Sequence, residues 1–431
     1  MNKRPFIILS SFLLLFLGIE KGQATETYRP ETSVAGFIQL PGSGRQVYNF
    51  NPGWLFFKGD VRGAEAVNFD DRSWKVVSTP HTVELMPAEG SGCRNYQGPA
   101  WYRKHFVLPA ETKGQRVVLH FEAAMGKQIL YLNGKRIQEH LGGYLPFTLD
   151  LTANGVQAGD SCLLAVFTDN SDDKSYPPGK RQYTLDFAYH GGIYRDSQAV
   201  GGGGVFVHFD KISEKSAQVY VNTEIQNEDV RTESVTVETT LTDADGKVIK
   251  HCSGKLSLKP GEKKSIQQQM EVKNPKLWSP DTPYLYRVQS RIKKGNKSMD
   301  GGITRVGIRL AEFRGKDGFW LNGKPFGQLV GANRHQDFAY VGNALPNSQQ
   351  WRDAKRLRDA GCTIIRVAHY PQDPAFMDAC DELGLFVIVA TPGWQYWNKD
   401  PKFGELVHQN TREMIRRDRN HPSVLMWEPI L

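Results

Sequence analysis

Four short stretches in the last quarter of the 431-residue chain combine histidine, arginine, carboxylates and aromatic rings. They cover residues 333–337, 366–371, 394–397 and 427–428. The side chains of interest are Asn333, His335, Asp337, Arg366, His369, Trp394, Trp427 and Glu428. Charged and planar polar groups hydrogen-bond sugar hydroxyls, and aromatic rings cover the apolar face of a sugar. These residue types therefore indicate a carbohydrate site, provided that the fold brings the four stretches together.

For each of these residues alone, a structural role is the simpler explanation. A lone histidine or tryptophan is most often part of a core or a hydrogen-bonded loop residue. Recurrence after three successive predicted strands favours a shared site instead. The aromatic group Trp394, Tyr396 and Trp397 keeps two interpretations. It is either a stacking wall for sugar rings or a hydrophobic plug over the barrel.

The elements that would position these residues alternate between strand and helix. Short apolar or β-branched stretches, typical of buried strands, cover residues 326–331, 363–367, 385–389 and 423–427. Helical periodicity covers residues 348–360, 373–383 and 403–419, with Ser348 as a predicted N-cap and Gly384 as a predicted C-cap. Four strands with three crossover helices predict a parallel sheet, the first half of a (β/α)8 TIM barrel, spanning residues 311–431. Functional residues of such barrels gather at the carboxyl ends of the strands.

The residues before this region predict β structure. Short alternating runs recur through residues 25–205, and Asn133-Gly134 directly after one of them predicts a two-residue hairpin. A jelly-roll-like two-sheet β-sandwich fits this pattern. A glycine run at residues 201–204 marks a boundary, and the strand spacing of residues 206–310 fits an immunoglobulin-like β-sandwich. The predicted fold class is thus multidomain, β followed by α/β.

The first 24 residues have the layout of a signal peptide. A basic start precedes an apolar run at residues 6–18 and small residues at 22–24. We expect an exported chain, periplasmic or extracellular, with an uncleaved N-terminal anchor as the alternative. The net charge of +8 is scattered, which argues against a nucleic-acid partner, and the five cysteines show neither a disulfide framework nor metal-ligand spacing. No membrane partner is expected after cleavage.

Several motifs, in order, resemble glycoside hydrolase family 2, the group of bacterial β-galactosidases, β-glucuronidases and β-mannosidases. They lie at residues 71–74, 80–81, 100–104, 133–135, 142–152, 192–196, 277–286, 331–335, 366–371 and 417–424. The resemblance covers nearly all of the chain after the signal peptide. It implies a retaining, exo-acting β-glycosidase, with a β-galactosidase as the first candidate and a β-glucuronidase as the alternative enzyme. A non-catalytic carbohydrate-binding fragment is the alternative of another class.

The resemblance also assigns roles to residues. His335 and His369 would contact sugar hydroxyls, Arg366 would orient the catalytic carboxylates, and Asp186 would reach from the first sandwich to grip the terminal sugar. For Asp186, a turn or capping role is an equal alternative. Trp394 and Trp427 would line the pocket. Asn333, Asp337 and Glu428 would support its wall.

The resemblance further implies what the chain would lack. The acid/base and nucleophile glutamates of the family would both lie beyond Leu431, so the chain as given is expected to be inactive. The Mg²⁺ ligands of some β-galactosidases have no counterpart around residues 394–396, so no cofactor is expected. The predicted partner is a carbohydrate with a terminal β-linked sugar, and a homo-oligomer stays open.

Overall fold

A computed structural model describes residues 38–87, 95–197, 204–393 and 396–429, and the backbone of residues 31–32 and 198–200. The predicted signal peptide (residues 1–24) and Trp394 lie outside these ranges. The described chain forms two β-sandwiches followed by a parallel sheet with crossover helices. None of the described helices is both long and apolar enough to cross a membrane.

The first sandwich packs two antiparallel sheets face to face. Its strands are β1 (Glu31–Thr32), β2 (Val47–Asn49), β3 (Trp54–Lys58), β4 (Lys75–Val77), β5 (Pro99–Val107), β6 (Val118–Phe121), β7 (Lys127–Leu132), β8 (Lys135–Leu141), β9 (Phe147–Asp150), β10 (Ser161–Asp169) and β11 (Ser197–Val200). The sheet orders are β1-β2-β11-β6-β9 and β4-β3-β5-β10-β7-β8. Between them lies a core that includes Trp54, Tyr102 and Phe121. The predicted hairpin is confirmed, because Asn133 and Gly134 join β7 to β8 with φ of 51° and 81°.

The second sandwich has the three-plus-four strand arrangement of an immunoglobulin-like domain. Its strands are β12 (Gly204–Asp210), β13 (Ser216–Gln226), β14 (Glu233–Thr242), β15 (Val248–Leu258), β16 (Lys263–Lys273), β17 (Tyr286–Lys294) and β18 (Lys297–Val306). One sheet has the order β12-β13-β16 and the other β15-β14-β17-β18, both antiparallel. Val219, Leu241 and Val288 are fully buried between them. Strand β12 already begins at Gly204, at the end of the predicted glycine boundary.

A small antiparallel sheet follows that the sequence did not predict. Its strands are β19 (Ala311–Phe313), β20 (Phe319–Leu321) and β21 (Lys324–Pro325). The strand predicted over residues 326–331 is wrong, because the first parallel strand starts only at Gly331. Phe326 is apolar for another reason. Its ring lies 5.5 Å from that of Phe319 and 5.6 Å from that of Phe386, so it covers the amino end of the parallel sheet.

The parallel sheet has the predicted alternation of strands and helices. In chain order these are β22 (Gly331–Arg334), α1 (Asn347–Asp359), β23 (Ile364–Val367), α2 (Pro374–Leu383), β24 (Phe386–Ala390), α3 (Pro401–Asp418) and β25 (Val424–Glu428). The strands lie side by side in that order and are parallel. The Gly384 cap is confirmed by its φ of 73°, whereas the residue before α1 is Pro346 and not Ser348. Pro346 has a φ of −71° and a ψ of 153°, which is extended backbone, and the helix starts at Asn347, one residue before the predicted range.

The two sandwiches contact opposite ends of this sheet. On the carboxyl side, the buried guanidinium of Arg195 donates to Gln336 Oε1 and to the Pro371 carbonyl, both at 2.9 Å. Tyr144 also stacks on Tyr370 with ring centroids 4.0 Å apart. On the amino side, Trp278 of the second sandwich donates through Nε1 to the Asp381 carbonyl at 2.9 Å. The first sandwich is therefore fixed against the edge where the predicted site lies.

Candidate functional site

The carboxyl edge of the parallel sheet brings the predicted residues of different strands together. In the parallel register, Asn333 on β22 lies beside Arg366 on β23, and Glu428 ends β25. Side chains alternate between the two faces of a strand. Ile365 and Val367 point into the hydrophobic core between sheet and helices, so Arg366 between them points to the other face.

Arg366 is the central charged group of this edge. It holds Glu428 with two hydrogen bonds, from Nε to Oε2 at 2.7 Å and from Nη2 to Oε1 at 2.5 Å. Its remaining nitrogen, Nη1, lies 3.5 Å from Asn333 Oδ1 and 3.1 Å from His369 Nδ1. A bidentate pair of this kind fixes the plane of the guanidinium. Arg366 thereby links the end of β25 to the histidine that follows β23.

His369 faces a residue of the first sandwich. Its Nε2 lies 3.7 Å from Asp186 Oδ2. The His369 side chain is 8% exposed, whereas that of Asp186 is 68% exposed and open to a ligand. Asp186 stands two residues after a short 3-10 helix, Gln182–Thr184. The structure thus places Asp186 beside the histidine, which the alternative of a turn or capping role does not require.

His335 completes the group from the end of β22. Its Nδ1 lies 3.4 Å from the hydroxyl of Tyr370, and its ring is 5.4 Å from that of His369. The ring of Phe187 stacks on His335 at 5.5 Å and lies 5.8 Å from His369. The buried ring of Phe187, from the first sandwich, therefore packs against both histidines at the carboxyl edge of the sheet. We call Asp186, His335, His369, Arg366 and Glu428 the rim cluster.

Both histidines of the rim cluster are held in the neutral form. Burial lowers the pKa of His369, and the Arg366 guanidinium lowers it further, although Asp186 acts in the opposite direction. Burial also lowers the pKa of His335 against the effects of Asp186 and Asp337. A neutral imidazole has one N–H donor and one acceptor nitrogen. Each ring can therefore both donate to and accept from a hydroxyl group.

The remaining predicted residues have different surroundings. Trp394 lies outside the described residues. Trp427 is half-buried and packs against the core of the parallel sheet, while Asn333 is exposed and Asp337 half-buried. Of the other two aromatic residues, Tyr396 packs on Phe403 at 5.7 Å, and Trp397 is 60% exposed. Their roles in binding stay predictions.

Two residues of the site were missed at the level of sequence. Phe187 follows Asp186 directly, and Tyr370 follows His369 directly, but neither was singled out as a pocket residue. Both are buried, and their rings lie 5.3 Å apart. The available signal was their adjacency to predicted binding residues, because a binding residue on a loop needs a packed neighbour to hold it.

Two groups in the described residues have the side-chain types and spacing of a metal site. Asp186, His335 and His369 form one, with ligand atoms all within 4.8 Å of one another. Asp378, Asp381 and His421 form the other, at the amino end of the sheet. Histidine and carboxylate ligands are those of zinc sites. Whether the first group accepts a metal depends on which nitrogen of His369 carries the proton.

Comparisons with known proteins agree with this architecture. Three domain models of glycosyl hydrolases family 2 match in succession. The sugar binding domain matches residues 66–202, the model described only by the family name matches 204–309, and the TIM barrel domain matches 314–429. The chain belongs to glycosyl hydrolase family 2.

Individual relatives divide between two activities. A β-galactosidase of Thermoanaerobacter pseudethanolicus is 36% identical over 393 residues, which are 89% of this chain and 51% of that protein. A β-glucuronidase of Formosa agariphila is 31% identical over 424 residues, or 90% and 42%. The solved β-glucuronidase 2 of Bacteroides uniformis, covalently bound to cyclophellitol-6-carboxylate aziridine, superimposes with a TM-score of 0.81 at 31% identity, covering 89% of this chain and 46% of that one. The chain spans about half the length of the curated relatives it matches.

Proposed function

We propose that this chain is part of a retaining, exo-acting β-glycosidase and that its rim cluster binds the terminal sugar of the substrate. The main observation behind the proposal is that Asp186 Oδ2 lies 3.7 Å from His369 Nε2. This contact brings a loop of the first sandwich to the end of a strand of the parallel sheet. The ring of Phe187 adds an apolar group beside both histidines. Polar groups on one side and an aromatic ring on the other suit a pyranose.

Each polar group has a defined task in this proposal. The exposed carboxylate of Asp186 accepts hydrogen bonds from hydroxyls at the end of the sugar. The neutral imidazoles of His335 and His369 supply further hydrogen bonds. A retaining mechanism adds two carboxyl groups about 5 Å apart across the scissile bond. The family resemblance implies that both lie beyond Leu431, and Glu428, paired with Arg366, would instead support the wall of the site. A relative that is covalently bound to an aziridine inhibitor supports the retaining class.

We place β-galactosides first, supported by relatives of that activity and by the carboxylates near His369. Asp186, Asp337 and Glu428 contribute three carboxylates, and the guanidinium of Arg366 is already paired with Glu428. A glucuronide carries a carboxylate that needs a cation of its own. β-Glucuronides are the second candidate, supported by relatives of that activity.

The proposal also covers the location of the protein and its partners. The basic start and apolar run of residues 1–24 support a periplasmic or extracellular enzyme. The proposed partner is a carbohydrate with a terminal β-linked sugar, and both a monomer and a homo-oligomer are compatible with this role. Amino-terminal sequencing of the mature protein tests signal cleavage, and fractionation tests export, since activity confined to the cytoplasm contradicts it.

Turnover of chromogenic substrates tests the activity. The protein expressed from the complete gene is assayed on nitrophenyl β-galactoside, β-glucuronide and β-mannoside, with the α-galactoside as a negative control. We expect hydrolysis of the β-galactoside and a raised KM in Asp186→Asn. The matched control is His251→Gln, which replaces an exposed histidine on the second sandwich. Its kinetics should be unchanged. Hydrolysis of none of the β-glycosides rejects the enzyme and leaves a binding role, which calorimetry with the free sugars then measures.

A further inference from the structure

The rim cluster contains a metal-like group of ligands that is held in a state unsuited to metal. Asp186, His335 and His369 have the composition of a zinc site, with ligand atoms within 4.8 Å of one another. Of the two nitrogens of His369, Nε2 faces this group and Nδ1 faces Arg366. The proton on His369 therefore decides whether Nε2 offers a lone pair or an N–H to the pocket.

Arg366 determines where that proton sits. A guanidinium is always protonated in proteins and only donates hydrogen bonds. Its Nη1 lies 3.1 Å from His369 Nδ1, so Nδ1 must be the acceptor of this contact. A neutral imidazole with a bare Nδ1 has its proton on Nε2. The N–H of Nε2 then points toward Asp186, 3.7 Å away, whose carboxylate can only accept.

Metal ligation would need the opposite tautomer. A metal-bound Nε2 uses its lone pair, and the proton moves to Nδ1, where metal-binding histidines usually donate to a carboxylate or carbonyl. Here two N–H groups would face each other at 3.1 Å, one of them on a cation. Zinc at this group therefore requires that Arg366 give up its contact with His369.

The guanidinium is itself held in place. Nε and Nη2 are both used by Glu428, at 2.7 and 2.5 Å, which leaves Nη1 directed at His369 and Asn333. Because the guanidinium is planar, the bidentate pair sets the direction of the third nitrogen. The end of β25 thus acts on His369 through Arg366.

We infer that Arg366 is a positioning residue that holds His369 in the tautomer with the proton on Nε2, so that His369 donates into the sugar pocket and Asp186, His335 and His369 do not form a metal site. The inference rests on the proposed function only for the identity of the acceptor, a sugar hydroxyl.

The tautomer is measured directly on the chain without substrate. Histidine is labelled with ¹⁵N, and long-range ¹H–¹⁵N correlations are recorded at pH 8, with His369→Gln identifying the His369 signals. The expected pattern for His369 is a protonated Nε2 and a bare Nδ1. A protonated Nδ1, or a doubly protonated ring, overturns the inference. This measurement uses the unaltered chain, so it stands even where a variant fails to fold.

Zinc titration tests the consequence that a merely structural arginine would not have. Calorimetry measures the Zn²⁺ affinity of the unaltered chain and of the Arg366→Met variant. This substitution removes the hydrogen-bond donor but keeps an aliphatic side chain. We expect Arg366→Met to bind Zn²⁺ at least tenfold more tightly, at a site that disappears in Arg366→Met combined with His369→Gln. Arg366→Lys retains a cationic donor and should stay near the unaltered chain. The matched control Asn333→Ala removes only the 3.5 Å contact to the same nitrogen and should also bind zinc as the unaltered chain does.

The outcomes separate the inference from the proposed function. Equal zinc affinity in Arg366→Met and the unaltered chain overturns the inference, whatever the enzyme hydrolyses. The expected tautomer together with the zinc gain supports it even where no β-glycoside is turned over, because neither measurement involves a sugar. Hydrolysis of β-galactosides with a protonated Nδ1 keeps the function and rejects the positioning role.

Discussion

Two Asp–His pairs stand at opposite ends of the parallel sheet and differ in packing, exposure and charge. At the carboxyl end, His369 lies 3.7 Å from Asp186, whose side chain is 68% exposed. At the amino end, His421 Nδ1 lies 2.6 Å from Asp381 Oδ2, and the Asp381 side chain is 2% exposed. Asp381 also accepts the backbone N–H of Ser423 at 3.0 Å.

As a result, the pKa values of the two histidines shift in opposite directions. At the carboxyl end, burial and the Arg366 guanidinium both lower the pKa of His369. At the amino end burial also lowers the pKa of His421, but Asp381 outweighs it through charge and a hydrogen bond, with Asp378 and Asp418 adding to the effect. The pKa of His421 is therefore raised to about 9. The same residue types thus form a pair with an exposed carboxylate at one end of the sheet and, at the other, a sealed pair that joins α2 to the start of β25.

The largest expected effect of breaking this contrast is on stability. His421→Ala leaves the Asp381 carboxylate buried without its cation, which costs about 3–5 kcal/mol. Hydrogen exchange in peptides covering α2 and β25 measures this loss. The control His251→Ala, at an exposed position of the second sandwich, should change exchange there by less than about 0.5 kcal/mol. Unchanged protection in His421→Ala would show that the pair does not hold the amino end together.

The corresponding substitution at the carboxyl end, His369→Ala, should affect catalysis and not stability. His369→Ala in the protein expressed from the complete gene should lower kcat/KM by about 30- to 1000-fold, or about 2–4 kcal/mol, because a donor to the sugar is lost in the transition state. Protection of α2 from hydrogen exchange should stay as in the unaltered protein. Normal kinetics in a folded His369→Ala protein would remove this histidine from the pocket.

A pH series separates the two pairs without changing the pocket. The folded-state pKa of His421, about 9, lies above the ordinary value of 6.5, so the folded protein binds this proton more tightly. The stabilisation is complete below pH 6.5 and disappears as the pH rises to 9. It amounts to about 3 kcal/mol at one pKa unit per 1.36 kcal/mol. Hydrogen exchange at the amino end should show this slope, and His421→Gln should abolish it. The same slope in His421→Gln assigns it to other groups.

The smallest expected effect concerns metal removal. The sequence offers no counterpart to the Mg²⁺ ligands of some β-galactosidases, and Arg366 opposes metal at the carboxyl-end histidines. EDTA should therefore leave kcat/KM unchanged within error. Buffer with added Mg²⁺ or Ca²⁺ serves as the comparison. Loss of activity with EDTA that either ion restores contradicts this prediction.

Local signals in the sequence predicted most of the architecture. The alternation of apolar strands with amphipathic helices, Gly384 at the end of α2, and the Asn133-Gly134 turn each depend on residues a few positions apart. The positions of His335, Arg366 and His369 after their strands follow from the same pattern, because parallel strands end at one edge. The strand predicted at residues 326–331 failed because Phe326 packs on the rings of Phe319 and Phe386 and not along a parallel strand.

The contacts between these residues, and their charge states, depend on the tertiary structure. Asp186 meets His369 only because Arg195 and Tyr144 fix the first sandwich against the sheet. The pairing of Arg366 with Glu428 joins the ends of strands that are separated by β24, and no local pattern encodes it. Charge state depends on burial and on neighbours that are distant in sequence. For that reason the folded protein lowers the pKa of His369 and raises that of His421.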